Sequence, residues 1–100
     1  MAEVLEVARF KVKPDDEGRM LAARPAMEAA LERECPGFVS LVLTRDGDTW
    51  VDIVRWESRE QALAAMEKVM TVPECQAMFS LIDEVVATEH LDVVRERGRE

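Results

Sequence analysis

A ferredoxin-like α+β domain, β-α-β-β-α-β with a four-stranded antiparallel sheet and its helices on one face, is predicted by three observations. Residues 4–13 alternate apolar and polar with period two and stop at Pro14. Two β-branched and aromatic runs, 38–45 and 49–57, flank Arg45-Asp46-Gly47-Asp48. Apolar residues then repeat at helical spacing once before this hairpin and once after it.

Each element has its own warrant. The first strand carries Val4, Glu6, Ala8, Phe10 and Val12 on one face and Leu5, Val7, Arg9, Lys11 and Lys13 on the other. It ends where the residue before Pro14 is biased to extended backbone. From Asp15 to Glu34 the period becomes helical, with Met20, Ala23, Met27, Ala30 and Leu31 on one stripe, and Cys35-Pro36-Gly37 closes it. Pro25 lies inside this stretch and removes the hydrogen bond to the carbonyl of Leu21, so a kink or break is expected there. The Asp46-Gly47 pair suits the positive φ angles of a tight hairpin turn. Ser58 with Gln61 forms a capping box opening the second helix, whose predicted buried stripe is Ala62, Met66, Val69 and Met70. After a break at Thr71-Val72-Pro73-Glu74, Cys75, Met78, Phe79 and Ile82 mark a shorter helix. A last strand spans about 85–94. Residues 1–94 are expected to form one domain, and 95–100, Arg-Glu-Arg-Gly-Arg-Glu, a charged tail.

Composition narrows the function classes. With 13 Lys and Arg against 21 Asp and Glu in 100 residues, the chain carries a formal charge of −8 and repels nucleic acid and anionic membranes. It has no apolar run long enough to span a bilayer and no signal-peptide pattern, so a cytoplasmic protein is expected. Cys35 and Cys75 lie outside any C-x-x-C or Cys/His cluster and read as small buried hydrophobes. With one histidine and no ligand spacing, no metal site is expected. Phosphate loops and Ser/His/Asp arrangements are absent as well.

Every strand offers apolar residues on both faces: Leu5 and Val7 against Ala8 and Phe10, Val42 against Leu41 and Leu43, Val54 against Val51 and Ile53. A sheet covered by its own helices on one side only predicts a partner on the other, and a homodimer through the bare sheet face is expected.

Three segments carry a family resemblance. The strand end Ala8-Arg9-Phe10-Lys11-Val12-Lys13-Pro14, the corner Cys35-Pro36-Gly37-Phe38 and the junction Val54-Arg55-Trp56-Glu57-Ser58-Arg59-Glu60-Gln61-Ala62 resemble the antibiotic biosynthesis monooxygenase (ABM) domain family of the dimeric α+β barrel superfamily. The resemblance spans about residues 4–94. It implies a dimer whose sheets form a barrel, and a small-molecule cavity between sheet and helices in each subunit. Some members oxygenate aromatic polyketides with O2 and neither metal nor flavin, others degrade haem, and many have no known activity. The haem-degrading branch uses an asparagine, a tryptophan and a histidine. Here those positions fall at Ala8, near Ala65 and around Ala77-Met78, which disfavours haem degradation. Many members also have a histidine where this chain has Met66.

Two residues are candidates for catalysis and five for binding. Glu6 is the lone charge on a face of Val4, Ala8, Phe10 and Val12, where burial would raise its pKa and fit it to take a phenolic proton; the other reading puts it at the sheet margin, reaching solvent or a lysine. His90, the sole histidine, could accept a proton or simply bond a neighbour on the last strand. Trp50 and Trp56 share a face and could stack on a planar ligand or anchor packing. Phe10, Met66 and Met70 complete the candidate ligand wall, although methionines at helical spacing equally fill cores. Arg9 is expected to pair across strands with Asp52. The function this supports is a cofactor-independent monooxygenase acting on a small aromatic, polyketide or quinol-like metabolite bound between sheet and helices. The alternative is a non-catalytic small-molecule-binding or purely structural barrel protein.

Overall fold

The computed structural model describes residues 2–98. It contains β1 (Val4–Lys11), α1 (Glu17–Glu34), β2 (Phe38–Asp46), β3 (Thr49–Trp56), α2 (Arg59–Lys68), α3 (Pro73–Phe79) and β4 (Glu84–Asp92), with 3-10 turns at Pro14–Asp16 and Val69–Thr71. The strands make one antiparallel sheet in the order β2-β3-β1-β4. This is the ferredoxin-like α+β fold predicted from the element order. Residues 95–98 carry no helix or strand, and Arg99 and Glu100 lie outside the described residues.

The core forms where one sheet face meets the helices. Val4, Phe10, Trp50, Val54 and Trp56 from β1 and β3 pack with Met20, Met27, Leu31, Ala62, Cys75 and Met78 from the three helices. The capping serine works as expected: the Ser58 hydroxyl accepts from the Gln61 N–H at 3.2 Å and satisfies a donor at the α2 N-terminus. The hairpin closes between Asp46 and Thr49, and only Gly47 of its two turn residues takes positive φ, at 62°. At the α1 corner, Gly37 adopts φ 90° and its carbonyl accepts from the Glu57 N–H at 2.8 Å, tying the corner to the end of β3.

The structure corrects two local expectations. Helix α1 runs unbroken through Pro25. Both Pro25 and Leu21 lie on its exposed face, where water can take the carbonyl that loses its partner, while the buried stripe on the other face holds the helix to the sheet. In α2 the buried residues are Ala62 and Ala65, whereas Met66 and Met70, placed on the buried stripe from their spacing, are 41% and 63% exposed. Two alanines let α2 sit close to the sheet, and the longer methionines are turned to the edge of the contact.

Two β-bulges set which side chains look at the helices. Phe38 pairs with Trp56 and Leu41 with Val54, so the extra residue Val39 puts Phe38 and Leu41 on the same face. The β1–β4 register shifts between Arg9 and Phe10, where Val85 faces Phe10 and Ala87 faces Arg9. Val85 and Thr88 consequently reach the same side, three residues apart. On the opposite face Leu5, Val42, Ile53 and Leu91 cluster without any covering element, and Val42 and Leu91 are about half exposed.

Candidate active site

Between sheet and helices lies an open cavity of about 450 Å³. Its floor is the inward face of β1 and β3: Glu6, Ala8, Phe10, Asp52, Val54 and Trp56. Helix side chains from Met27 to Met78 form the roof, Met66 and Met70 border the exposed edge, and Val85 and Thr88 of β4 complete one wall. The lining is mostly apolar, and the volume falls within the usual range of small-ligand sites, roughly 300–1,000 Å³.

Glu6 lies among these apolar groups with its side chain 17% exposed. Its Oε1 accepts a hydrogen bond from Trp56 Nε1 at 2.9 Å and lies 3.7 Å from Nε2 of His90, which stands opposite Glu6 in the β1–β4 register. Burial pushes the Glu6 carboxyl above its ordinary value; the facing imidazole and the tryptophan N–H pull it back in part, and nearby Asp52 pushes it further up. His90 Nε2 is buried without a hydrogen-bond partner among the described residues. The pair is thus a carboxyl in a largely apolar setting with an imidazole just beyond hydrogen-bond range.

A second buried charge group lies one pleat along the floor. Asp52 receives two hydrogen bonds from Arg24 of α1, Nη1 to Oδ2 at 2.8 Å and Nη2 to Oδ1 at 2.6 Å, and Arg24 Nε reaches Glu28 at 3.2 Å. The guanidinium is 4% exposed. The expected Arg9–Asp52 pair does not form. Asp52 opposes Ala8 in the ladder and Arg9 opposes Val51, so the two side chains stand on opposite faces, and Arg9 binds Glu89 at 2.6 Å.

The structure therefore brings Glu6, Phe10, Trp56, Met66 and Met70 to the cavity. His90 sits behind Glu6, and Trp50 lies beyond Phe10 under the guanidinium of Arg45, 4.5 Å above its ring; neither lines the space. Sequence reasoning missed Asp52 and Arg24 as a pair. Their signal was present: Arg24 falls between Met20 and Met27 on the buried stripe of α1, a charge among apolar residues just as Glu6 is. Among the described residues no cluster of three or more His, Cys, Asp or Glu could hold a metal ion. No helix among the described residues is long and apolar enough to cross a membrane.

A ferredoxin-like sheet with an apolar cavity under its helices and the carboxyls of Glu6 and Asp52 on its floor defines an α+β domain with an open cavity between sheet and helices. The model of the antibiotic biosynthesis monooxygenase family matches residues 4–80, and the chain belongs to that family. Among solved structures it is similar to a candidate antibiotic biosynthesis monooxygenase of Bordetella bronchiseptica, with TM-score 0.80 and 17% identity over 95% of this chain and 100% of that one. It is also similar to SnoaB of Streptomyces nogalater, described as a cofactor-independent oxygenase, with TM-score 0.67 and 23% identity over 98% of this chain and 97% of that one. A third is a dimeric ferredoxin-like protein from an uncultured marine organism, with TM-score 0.71 and 12% identity over 100% of this chain and 95% of that one. No curated protein sequence matches.

Proposed function

We propose that the protein is a cofactor-independent monooxygenase that oxidises a small aromatic metabolite, a polyketide or quinol-like phenol, with Glu6 as the base. The observation that carries this reading is the buried Glu6 carboxyl inside a 450 Å³ apolar cavity floored by Phe10 and Trp56. Family membership and the likeness to SnoaB support it.

The chemistry asks little of the protein. Glu6 takes the phenolic proton, and the electron-rich phenolate reduces O2 and then bonds to it at ring carbon. Loss of water from the resulting hydroperoxide leaves one oxygen atom on the ring, so that phenol plus O2 gives quinone plus water. Phe10 and Trp56 hold the ring plane, the Trp56 N–H keeps the carboxylate in place with His90 behind it, and the helices limit water at the reactive phenolate.

The test is a thermal-shift screen of aromatic polyketides and quinols, followed by O2 uptake with each hit on wild type and on Glu6→Gln. Wild type should consume O2, and the variant should lose at least about 10²-fold in rate, the usual contribution of a general base. Equal uptake by the two proteins would remove Glu6 as the base. Binding without uptake in every hit would leave the non-catalytic reading.

We further propose that the protein acts in the cytoplasm as a homodimer joined through the bare sheet face, where Leu5, Val42, Ile53 and Leu91 would find the cover that their own chain does not supply. The dimeric ferredoxin-like neighbour supports this assembly. Sedimentation at micromolar concentration should give a species of twice 11.3 kDa, shifted toward monomer by Val42→Glu with Leu91→Glu. A wild-type species of 11.3 kDa alone would overturn it.

A further inference from the structure

Four of the five charged residues around the cavity are acids. On the floor stand the carboxylates of Glu6 and Asp52, and at the β4 side Asp83 and Glu84 add two more. Asp52 is balanced by Arg24, which also binds Glu28, whereas no arginine or lysine stands against Glu6 among the described residues; Arg9 turns to the opposite sheet face and pairs with Glu89. Lys13 lies 3.9 Å from Asp83 at the exposed rim, and Glu84 has no ion-pair partner among the described residues. Trp56 Nε1, the one indole donor of the floor, is spent on Oε1 of Glu6, and Oε2 of Glu6 has no hydrogen-bond partner among the described residues.

From this we infer that the cavity selects aromatic ligands that carry a protonated amine and rejects those that carry a carboxylate. The inference deepens the aromatic-binding reading above and rests on it. An anionic group placed in this apolar space would stand beside the Glu6 carboxylate, which unlike Asp52 has no arginine or lysine against it among the described residues, and the one unengaged donor on the lining is the neutral Thr88 hydroxyl. That electrostatic cost is largest where water is excluded. An ammonium instead meets the open Oε2 of Glu6 as a charge-assisted donor. It also offsets the negative charge that appears on the ring when the phenolic proton leaves to Glu6.

Three naphthalenes that differ in one substituent, aminomethyl, hydroxymethyl or carboxylate, test this by isothermal titration calorimetry on the full chain. The amine should bind more tightly than the alcohol and about tenfold or more tighter than the carboxylate, a discrimination of the size expected for charge complementarity at a partly desolvated site. Glu6→Gln keeps the acceptor for Trp56, and Glu84→Gln alters only an exposed side chain; each should narrow the gap between amine and carboxylate. A carboxylate that binds as tightly as the amine, an amine no tighter than the alcohol, or a gap unchanged in both variants would overturn the selection while aromatic binding stands. If none of the three binds, aromatic binding itself falls and the selection with it.

Discussion

Two buried charge groups share the helix-facing side of the sheet, and they are built differently. Arg24 and Asp52 exchange two short parallel hydrogen bonds, and the remaining guanidinium nitrogen reaches Glu28, so each ionised group has its partners. Glu6 has one hydrogen bond, from Trp56, and its other neighbour, His90, stops at 3.7 Å with a buried nitrogen unpartnered among the described residues. Desolvation costs both groups, but only the first is repaid in full. A satisfied pair fixes α1 against β3. An unsatisfied one keeps a carboxyl with capacity to spare beside a cavity, which is the condition a base or ligand anchor requires.

The comparison breaks if removing one member of the satisfied pair is tolerated. Asp52→Leu or Arg24→Met should each cost about 3–5 kcal/mol of stability, because each leaves its partner buried and uncompensated. Chemical denaturation measures it. The double variant Arg24→Met with Asp52→Leu should recover much of that loss, since two apolar groups need no partner. Strict additivity of the two single costs would show that the pair is not a unit. With each kcal/mol worth about 4–8 °C in Tm at this chain length, thermal melting reads the same effects.

Much of this contrast was legible in the sequence, and the rest was hidden by identifiable physics. Period-two alternation placed Glu6, Ala8 and Phe10 on one face, and the same rule put Trp50, Asp52, Val54 and Trp56 together on β3. It could not give the partner of Asp52. That partner comes from α1, and how a helix is turned over a sheet depends on packing that no local pattern encodes. The bulges at Val39 and opposite Arg9 shift parity by one residue, so strict alternation fails for Phe38 with Leu41 and for Val85 with Thr88. Met66 and Met70 followed the helical period into a predicted core, yet the two small residues Ala62 and Ala65 set the contact and left the thioethers at the cavity edge. Pro25 was read from its missing N–H alone, and its exposure is what made that loss cheap.

The unsatisfied group gives a smaller effect with a diagnostic sign. Burial raises the Glu6 carboxyl above 4.5, the ordinary value it regains on unfolding. Between those two values the native chain binds more protons than the unfolded one. Stability is therefore greatest below pH 4.5 as far as this group is concerned, and it falls as pH rises through the raised native value. Glu6→Gln removes the titration but keeps an acceptor for Trp56. Its Tm should lose that decline and equal or exceed the wild-type Tm at neutral pH, the wild type losing ground across the interval between the two values and no further above it. O2 uptake in wild type should run the other way, rising through the same interval as the carboxyl ionises to the form that takes a proton. Stability and activity would then titrate in opposite directions on one group. Parallel Tm profiles for wild type and Glu6→Gln from pH 4 to 8 would show instead that Glu6 is as well satisfied as Asp52, and the two regions would no longer differ in kind.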